Sequence, residues 1–186
     1  MKLKPASFLI LGMVRLGVSS GYAIKKAADA STRYFWPTSL AQVYPELARL
    51  EEAGLLSRRE DPEGGRERFA YEITAEGEAA LLTWMRSPNQ GETQFRDEGI
   101  LRLFFADRLS PRDQLELVRQ LRERAHQGHA ETREEILPLA ESLERVGTRF
   151  PAHVARLRAD TYAFTEQWLA RLEAELAEPP KADATR

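Results

Sequence analysis

Two groups of side chains in this 186-residue sequence are spaced to do chemistry. The first is the set of three histidines, His126, His129 and His153. Glu123-x-x-His126 has the spacing of a carboxylate-bridged di-metal ligand pair, but such a centre needs that motif twice and the sequence has it once. The sequence has no cysteine, hence no thiolate nucleophile and no Cys-type zinc site, and neither a phosphate-binding Gly-x4-Gly-Lys loop, a nucleophile elbow nor an HExxH pair. The expectation is a protein that is not an enzyme and needs no metal or cofactor. The second group suits recognition. Ser39, Gln42 and Tyr44 lie close together, with Arg58, Arg66 and Arg68 following. Glutamine pairs bidentately with adenine, serine bonds several bases or a phosphate, and a tyrosine hydroxyl reaches a phosphate. Arginine suits the minor groove or the backbone. Ser39 and Gln42 are also spaced as a helix capping box, which would occupy the same two side chains, so both readings stand at this point.

These residues need a scaffold. Ser39–Leu56 carries Leu40, Val43, Leu47 and Leu50 at helical spacing, a narrow apolar stripe opposite Ala41, Gln42, Pro45, Ala48 and Arg49. Gly54 stands where a helix ends in the left-handed conformation, and Pro45 predicts a local kink. Before it, Pro5–Arg15 is apolar on all sides and reads as a buried helix. Gly21–Ala30 reads as a second helix, with Ile24, Ala27 and Ala28 inward and Lys25 and Lys26 outward. Tyr34-Phe35-Trp36 sits in the next loop and is expected to tuck its rings away. After the stripe, Leu55–Glu60 and Glu67–Ile73 have strand character, with Phe69, Tyr71 and Ile73 alternating inward, around a Pro- and Gly-punctuated loop. Ala75–Arg86 follows as a helix capped by Thr74, with Ala79, Leu82 and Met85 on one side and Leu81 and Trp84 beside it. Three helices, a two-stranded hairpin and a closing helix make a winged helix-turn-helix with a β-hairpin wing, within a mainly α chain.

Charge distribution agrees with a DNA partner. The net charge is −2, but residues 1–45 hold Lys2, Lys4, Arg15, Lys25, Lys26 and Arg33 against Asp29 alone. The body is acidic by comparison, and a basic end is an electrostatic footprint for phosphate. Glu60, Asp61, Glu63 and Glu67 crowd the wing with acids. No apolar run approaches the ~18–20 residues of a membrane span. With no secretory signal pattern and no cysteine, the expected location is cytoplasmic.

Residues 1–87 form the expected DNA-binding domain, and Ser87–Gly91 reads as a linker. Residues 92–178 form an all-helical domain, followed by a flexible tail at 179–186. Phe95–Leu109 holds Ile100, Leu101, Leu103, Phe104 and Phe105 and is too apolar to be exposed. Ser110-Pro111 starts a helix expected to end near Leu137, before Pro138, with a short helix at Leu139–Val146. Pro151 opens the last helix, to about Ala177. These helices carry thin seams that cannot close a core alone. A second copy of the chain is the expected partner, through Val154, Leu157, Phe164, Trp168 and Leu172, with Phe164 and Trp168 as anchors.

Ser39–Leu56 together with Arg68–Gly77 resembles the PadR family of bacterial transcriptional regulators. Tyr44, Pro45, Leu47, Leu50, Glu51, Gly54 and Leu55 match the family's helix end, Tyr71, Thr74 and Gly77 its wing strand, and Gly21-Tyr22 its second helix start. The C-terminal half resembles the family's longer helical domain through Leu101-x-Leu-Phe-Phe and Trp168-Leu169. The resemblance implies a homodimeric repressor on a near-palindromic operator in double-stranded DNA, with C-terminal helices exchanged between copies. Tyr22, Tyr44 and the Gly64–Arg68 wing inherit DNA-contact roles, beside Lys4, Lys25, Ser39, Gln42 and Arg58 from the residue reading. Some members release DNA on binding a small aromatic or cationic molecule, for which Trp36, Phe104, Tyr162 and Trp168 are the candidate effector-binding rings. The rival reading is a winged helix that binds proteins without specific DNA recognition.

Overall fold

The computed structural model describes residues 3–60, 69–88 and 96–178. Arg66, Arg68, the tip of the wing and the tail at 179–186 lie outside the described residues. The chain divides into two compact units, residues 1–91 and 92–186.

The first unit opens with α1 (Pro5–Arg15) and α2 (Gly21–Ser31), followed by α3 (Leu40–Glu52). Proline pre-sets the first turn of α1, and the Ser20 hydroxyl accepts the Ala23 N–H to start α2. Strand β1 (Leu56–Glu60) pairs antiparallel with β2 (Phe69–Ile73), Leu56 opposite Ile73 and Glu60 opposite Phe69. Helix α4 (Ala75–Arg86) closes the unit. Its core joins Ile10, Leu11 and Val14 of α1, Ile24 of α2, Val43, Leu47 and Leu50 of α3, Leu56 of β1 and Leu81 of α4. At ~1.5–3 kcal/mol for each fully buried aliphatic side chain, this cluster is the main force holding the three helices together.

Several faces differ from the sequence expectation. Leu40, first residue of α3, is 38% exposed; the buried seam is Val43, Leu47 and Leu50. In β2 the buried residue is Ala70, opposite Arg59. Tyr71 and Ile73 are half-buried, and Phe69, at the outer end of the hairpin, is exposed beneath the Arg58 guanidinium. Helix α4 buries Gly77 and Leu81, while Ala79, Leu82 and Met85 face outward. Its Trp84 stacks on Phe8 with centroids 4.6 Å apart, so that the helix packs through its Gly77–Leu81–Trp84 side. Phe35 and Trp36 are exposed too, Phe35 edge-on to the half-buried Tyr34.

The second unit contains α5 (Glu98–Phe104), α6 (Pro111–Glu131), α7 (Leu137–Ser142) and α8 (Phe150–Ala177). A π-helical turn at Thr132–Ile136 joins α6 to α7. Pro138, expected to stop the helix, instead occupies the first turn of α7, where its missing N–H is tolerated. Helix α8 has 28 residues, about 42 Å at 1.5 Å each. Val118, Leu121 and Ala125 of α6 meet Leu169 of α8 in one small cluster. Ala140 of α7 meets Ala152 and Ala155 of α8 in another. The α5 segment is not covered: Leu101, Phe104 and Phe105 are exposed, Phe104 by 78%.

Candidate nucleic-acid interface

The first candidate residues sit at the start of α3. The Gln42 side-chain oxygen accepts the Ser39 N–H at 3.0 Å while the Ser39 side chain faces the Gln42 backbone N–H, which is the capping box in place, and the Ser39 hydroxyl also lies 3.3 Å from the Gln42 oxygen. Both side chains remain exposed. One turn on, the Tyr44 ring lies against Gly21 at the start of α2. A Cβ added at Gly21 would stand 2.6 Å from Tyr44 Cε1, so the small residue is what lets the aromatic ring seat there. Tyr22, the next residue, is exposed. The structure thus brings Tyr44 to the Gly21-Tyr22 corner, joining two motif fragments far apart in sequence.

The inner side of α3 is anchored by a cluster that sequence reasoning missed. Ser7, fully buried in α1, donates its hydroxyl to Glu46 of α3 and accepts from Arg49 at 2.8 Å and from the Lys4 N–H at 2.9 Å. Arg49 also binds Glu46 directly, through Nε at 3.0 Å. The Arg49 hydrogen bond holds the Glu46 carboxyl below the usual carboxylate range against the opposing effect of burial, with the Ser7 hydroxyl acting in the same direction. Arg49 therefore faces α1 and is not part of the outward face. The available signal was Ser7 itself, a polar interruption of an otherwise apolar helix.

The wing is set by the remaining motif residues. Gly54, at φ +70°, ends α3 in the left-handed region. Thr74 donates its hydroxyl to the Gly54 carbonyl at 2.7 Å, its N–H to the Leu55 carbonyl at 3.2 Å, and caps α4 by accepting the Gly77 N–H at 3.0 Å. A Cβ at Gly77 would meet the Leu55 carbonyl oxygen at 2.1 Å. Tyr71 donates its N–H to the Ser19 carbonyl at 2.7 Å, fixing the hairpin to the α1–α2 turn. These residues hold α3 and the hairpin in register.

The cations are largely engaged. Lys25 pairs with Asp29 one turn along α2. Arg58 lies 3.2 Å from Glu51 and 4.4 Å from the centre of the Phe69 ring, and Arg59 pairs with Glu72 at 2.7 Å. Lys4 and Lys26 are exposed. Arg66 and Arg68 were expected at the wing and lie outside the described residues.

In the second unit, Leu157 is 66% and Phe164 62% exposed on α8, with Val154 and Trp168 less so and Leu172 half-buried against the α6–α8 cluster. Among the candidate effector rings, Trp36 belongs to the first unit, and Phe104 and Trp168 are exposed in the second. Tyr162 is half-buried against Gly128, where an added Cβ would stand 2.5 Å from its ring; that contact makes it packing material between α6 and α8. A cavity of about 400 Å³ in this unit is lined by Arg122, Glu123, His126, Glu166, Gln167 and Ala170, none of them candidate rings. His126 Nδ1 is 3.1 Å from Glu166. At the start of α5, burial pushes the Asp97 carboxyl up, but the Arg124 guanidinium at 2.6 Å and the Ile100 and Gly99 N–H groups more than offset it and hold it below its ordinary value.

Comparison with known proteins agrees with this arrangement. Residues 10–83 match the model of the transcriptional regulator PadR-like family. The negative transcriptional regulator PadR of Bacillus subtilis (strain 168) is 30% identical over 119 residues, 63% of this chain, and the match spans 65% of that relative's length. The crystal structure of Bacillus subtilis PadR in complex with operator DNA superimposes with a TM-score of 0.79 at 21% identity, covering 93% of this chain and 99% of that one. The PadR-like regulator BC1756 from Bacillus cereus gives 0.74 at 22% identity, over 92% and 97%. The Vibrio cholerae virulence activator AphA gives 0.67 at 26% identity, over 92% and 97%. The chain's winged-helix motifs over residues 10–83 thus match the PadR-like family of transcriptional regulators, and the chain has the fold of solved PadR structures.

Proposed function

We propose that this protein is a homodimeric repressor that binds a near-palindromic operator through the outer face of α3. The observation that carries the reading is the division of labour on α3. Val43, Leu47 and Leu50 and the Ser7–Glu46–Arg49 cluster hold the helix from within. Ala41, Gln42, Tyr44, Pro45 and Ala48 are left exposed, and this mostly small surface suits close approach to a groove. Solved PadR of Bacillus subtilis is bound to operator DNA, and this chain has its fold. The exposed Leu101, Phe104, Leu157 and Phe164 supply an apolar surface for a second copy. Two α3 helices would then address half-sites related by the two-fold axis.

The test is footprinting of the full-length protein on the DNA flanking its gene, with sedimentation of the same preparation. Protection of an inverted repeat by a dimer is the expected result. A monomer that protects nothing at low salt removes the proposal. Release of DNA by a small aromatic molecule belongs to the same reading, supported by the solved complex of Bacillus subtilis PadR with p-coumaric acid. It assigns Phe104 and Trp168 to effector contact. Titrating p-coumaric acid into the protein–duplex complex tests it, and unchanged affinity with unchanged Trp168 fluorescence counts against it.

A further inference from the structure

We infer that Gln42 reads guanine, through its amide NH₂ alone, and not adenine; the inference rests on the proposed insertion of α3 into the major groove. Which end of the Gln42 amide faces the cap follows from chemistry. The atom 3.0 Å from the Ser39 N–H faces a group that can only donate, so it is the oxygen. The Ser39 hydroxyl at 3.3 Å and the Thr38 hydroxyl at 3.5 Å, the latter at the limit of a hydrogen bond, approach the same oxygen. The Ser39 N–H and the Ser39 hydroxyl together take the two lone pairs of that oxygen, so the exposed amide has its two N–H donors to present.

That asymmetry changes the base code. Bidentate pairing with adenine needs one donor and one acceptor, for N7 and the N6 amino group. A donor-only amide has no acceptor for the adenine amino group and none for the cytosine N4 amino group. Guanine offers N7 and O6, two adjacent acceptors, as it does to lysine and arginine. The capping box therefore acts twice: it starts α3, and it fixes the hydrogen-bonding polarity of the residue best placed to read a base.

The experiment is selection of binding sites by the full-length protein from a random duplex library, repeated with Gln42→Glu and Gln42→Ala. Glutamate keeps the capping acceptor, since the box takes Glu or Gln, but has no N–H. Wild type is expected to select guanine at one position of each half-site, by roughly fivefold or more over the other bases. Gln42→Glu is expected to change that position to cytosine, whose N4 donates, and Gln42→Ala to lose preference there alone. Circular dichroism of Gln42→Glu should match wild type. Three results overturn the inference while leaving operator binding intact: adenine at the affected position, retained guanine in Gln42→Glu, or identical sites for all three proteins. A wild type that enriches no sequence overturns the operator reading itself, and this inference with it.

Discussion

At the residue scale, the motif glycines divide by what a side chain would strike. At Gly77 the obstacle is the Leu55 carbonyl oxygen at 2.1 Å, backbone that Thr74 also uses. At Gly21 it is the edge of the Tyr44 ring, a side chain and not backbone. Gly77→Ala should therefore destabilise the first unit by about 1–3 kcal/mol despite alanine's better helix propensity, because overpacking against backbone outweighs the ~1 kcal/mol that alanine contributes. Gly21→Ala should leave the melting temperature nearly unchanged and weaken DNA binding by displacing Tyr44. Thermal melts and duplex titrations separate the two; equal losses of stability would contradict the distinction. Glu46 gives a pH prediction of definite sign. Its folded carboxyl lies below its unfolded value near 4.3. The stabilisation is thus fully present above that value and fades as pH falls through the folded one. Glu46→Gln should flatten the acid side of the stability profile without altering it near neutrality in slope, and an unchanged acid limb would show that Glu46 is not a source of it.

At the element scale, what was legible depended on whether a local signal fixed the outcome. Pro5–Arg15 and Ala75–Arg86 were readable because Pro5 and Thr74 mark their starts and Gly17 with Ser19–Gly21 ends the first. The winged-helix order was readable from the change of period between α3 and the hairpin. The Ser39–Gln42 spacing named the cap, although not which amide atom it takes. Faces were harder. Leu82 and Met85 look like core residues of α4, yet that helix packs through Leu81 and through Trp84 on Phe8. Pro138 reads as a stop, yet the π turn before it lets the helical path continue. The Ser7–Glu46–Arg49 cluster depends on two helices meeting, and no window along the sequence contains it. The Phe8–Trp84 contact can be tested directly. Trp84→Ala should cost the first unit about 1–2 kcal/mol, from the stack and lost burial. Trp84→Phe should recover much of it. Urea titration of both variants checks this, and equal midpoints for Trp84→Ala and wild type would mean that α4 is held by Leu81 without the stack.

At the scale of the whole molecule, the proposed function asks a chain of net charge −2 to hold a polyanion. In the proposed dimer, two first units act on one duplex and each contributes the cations of its basic end. Surface ion pairs are worth only ~0–1 kcal/mol, so the Lys25–Asp29 pair is a weak competitor for a nearby phosphate, but Asp29 still places a negative charge beside the DNA. Asp29→Asn should raise affinity at low salt and steepen the salt dependence. Each phosphate contact contributes about −0.9 to the slope of log affinity against log salt, so the slope counts contacts where affinity alone does not. Phe164→Asp places a charge in the exposed apolar surface of α8, where a partner copy would bury it, and leaves the first unit untouched. It should give a folded monomer whose slope on operator DNA is about half that of wild type, since one half of the phosphate contacts is gone. Asp29→Asn should then add its increment once in the monomer and twice in the dimer. Titrations at four salt concentrations on wild type, both single variants and the double variant provide the comparison. Equal slopes for wild type and Phe164→Asp would mean that a single first unit makes all the phosphate contacts, and the two-fold account of operator binding would have to be abandoned.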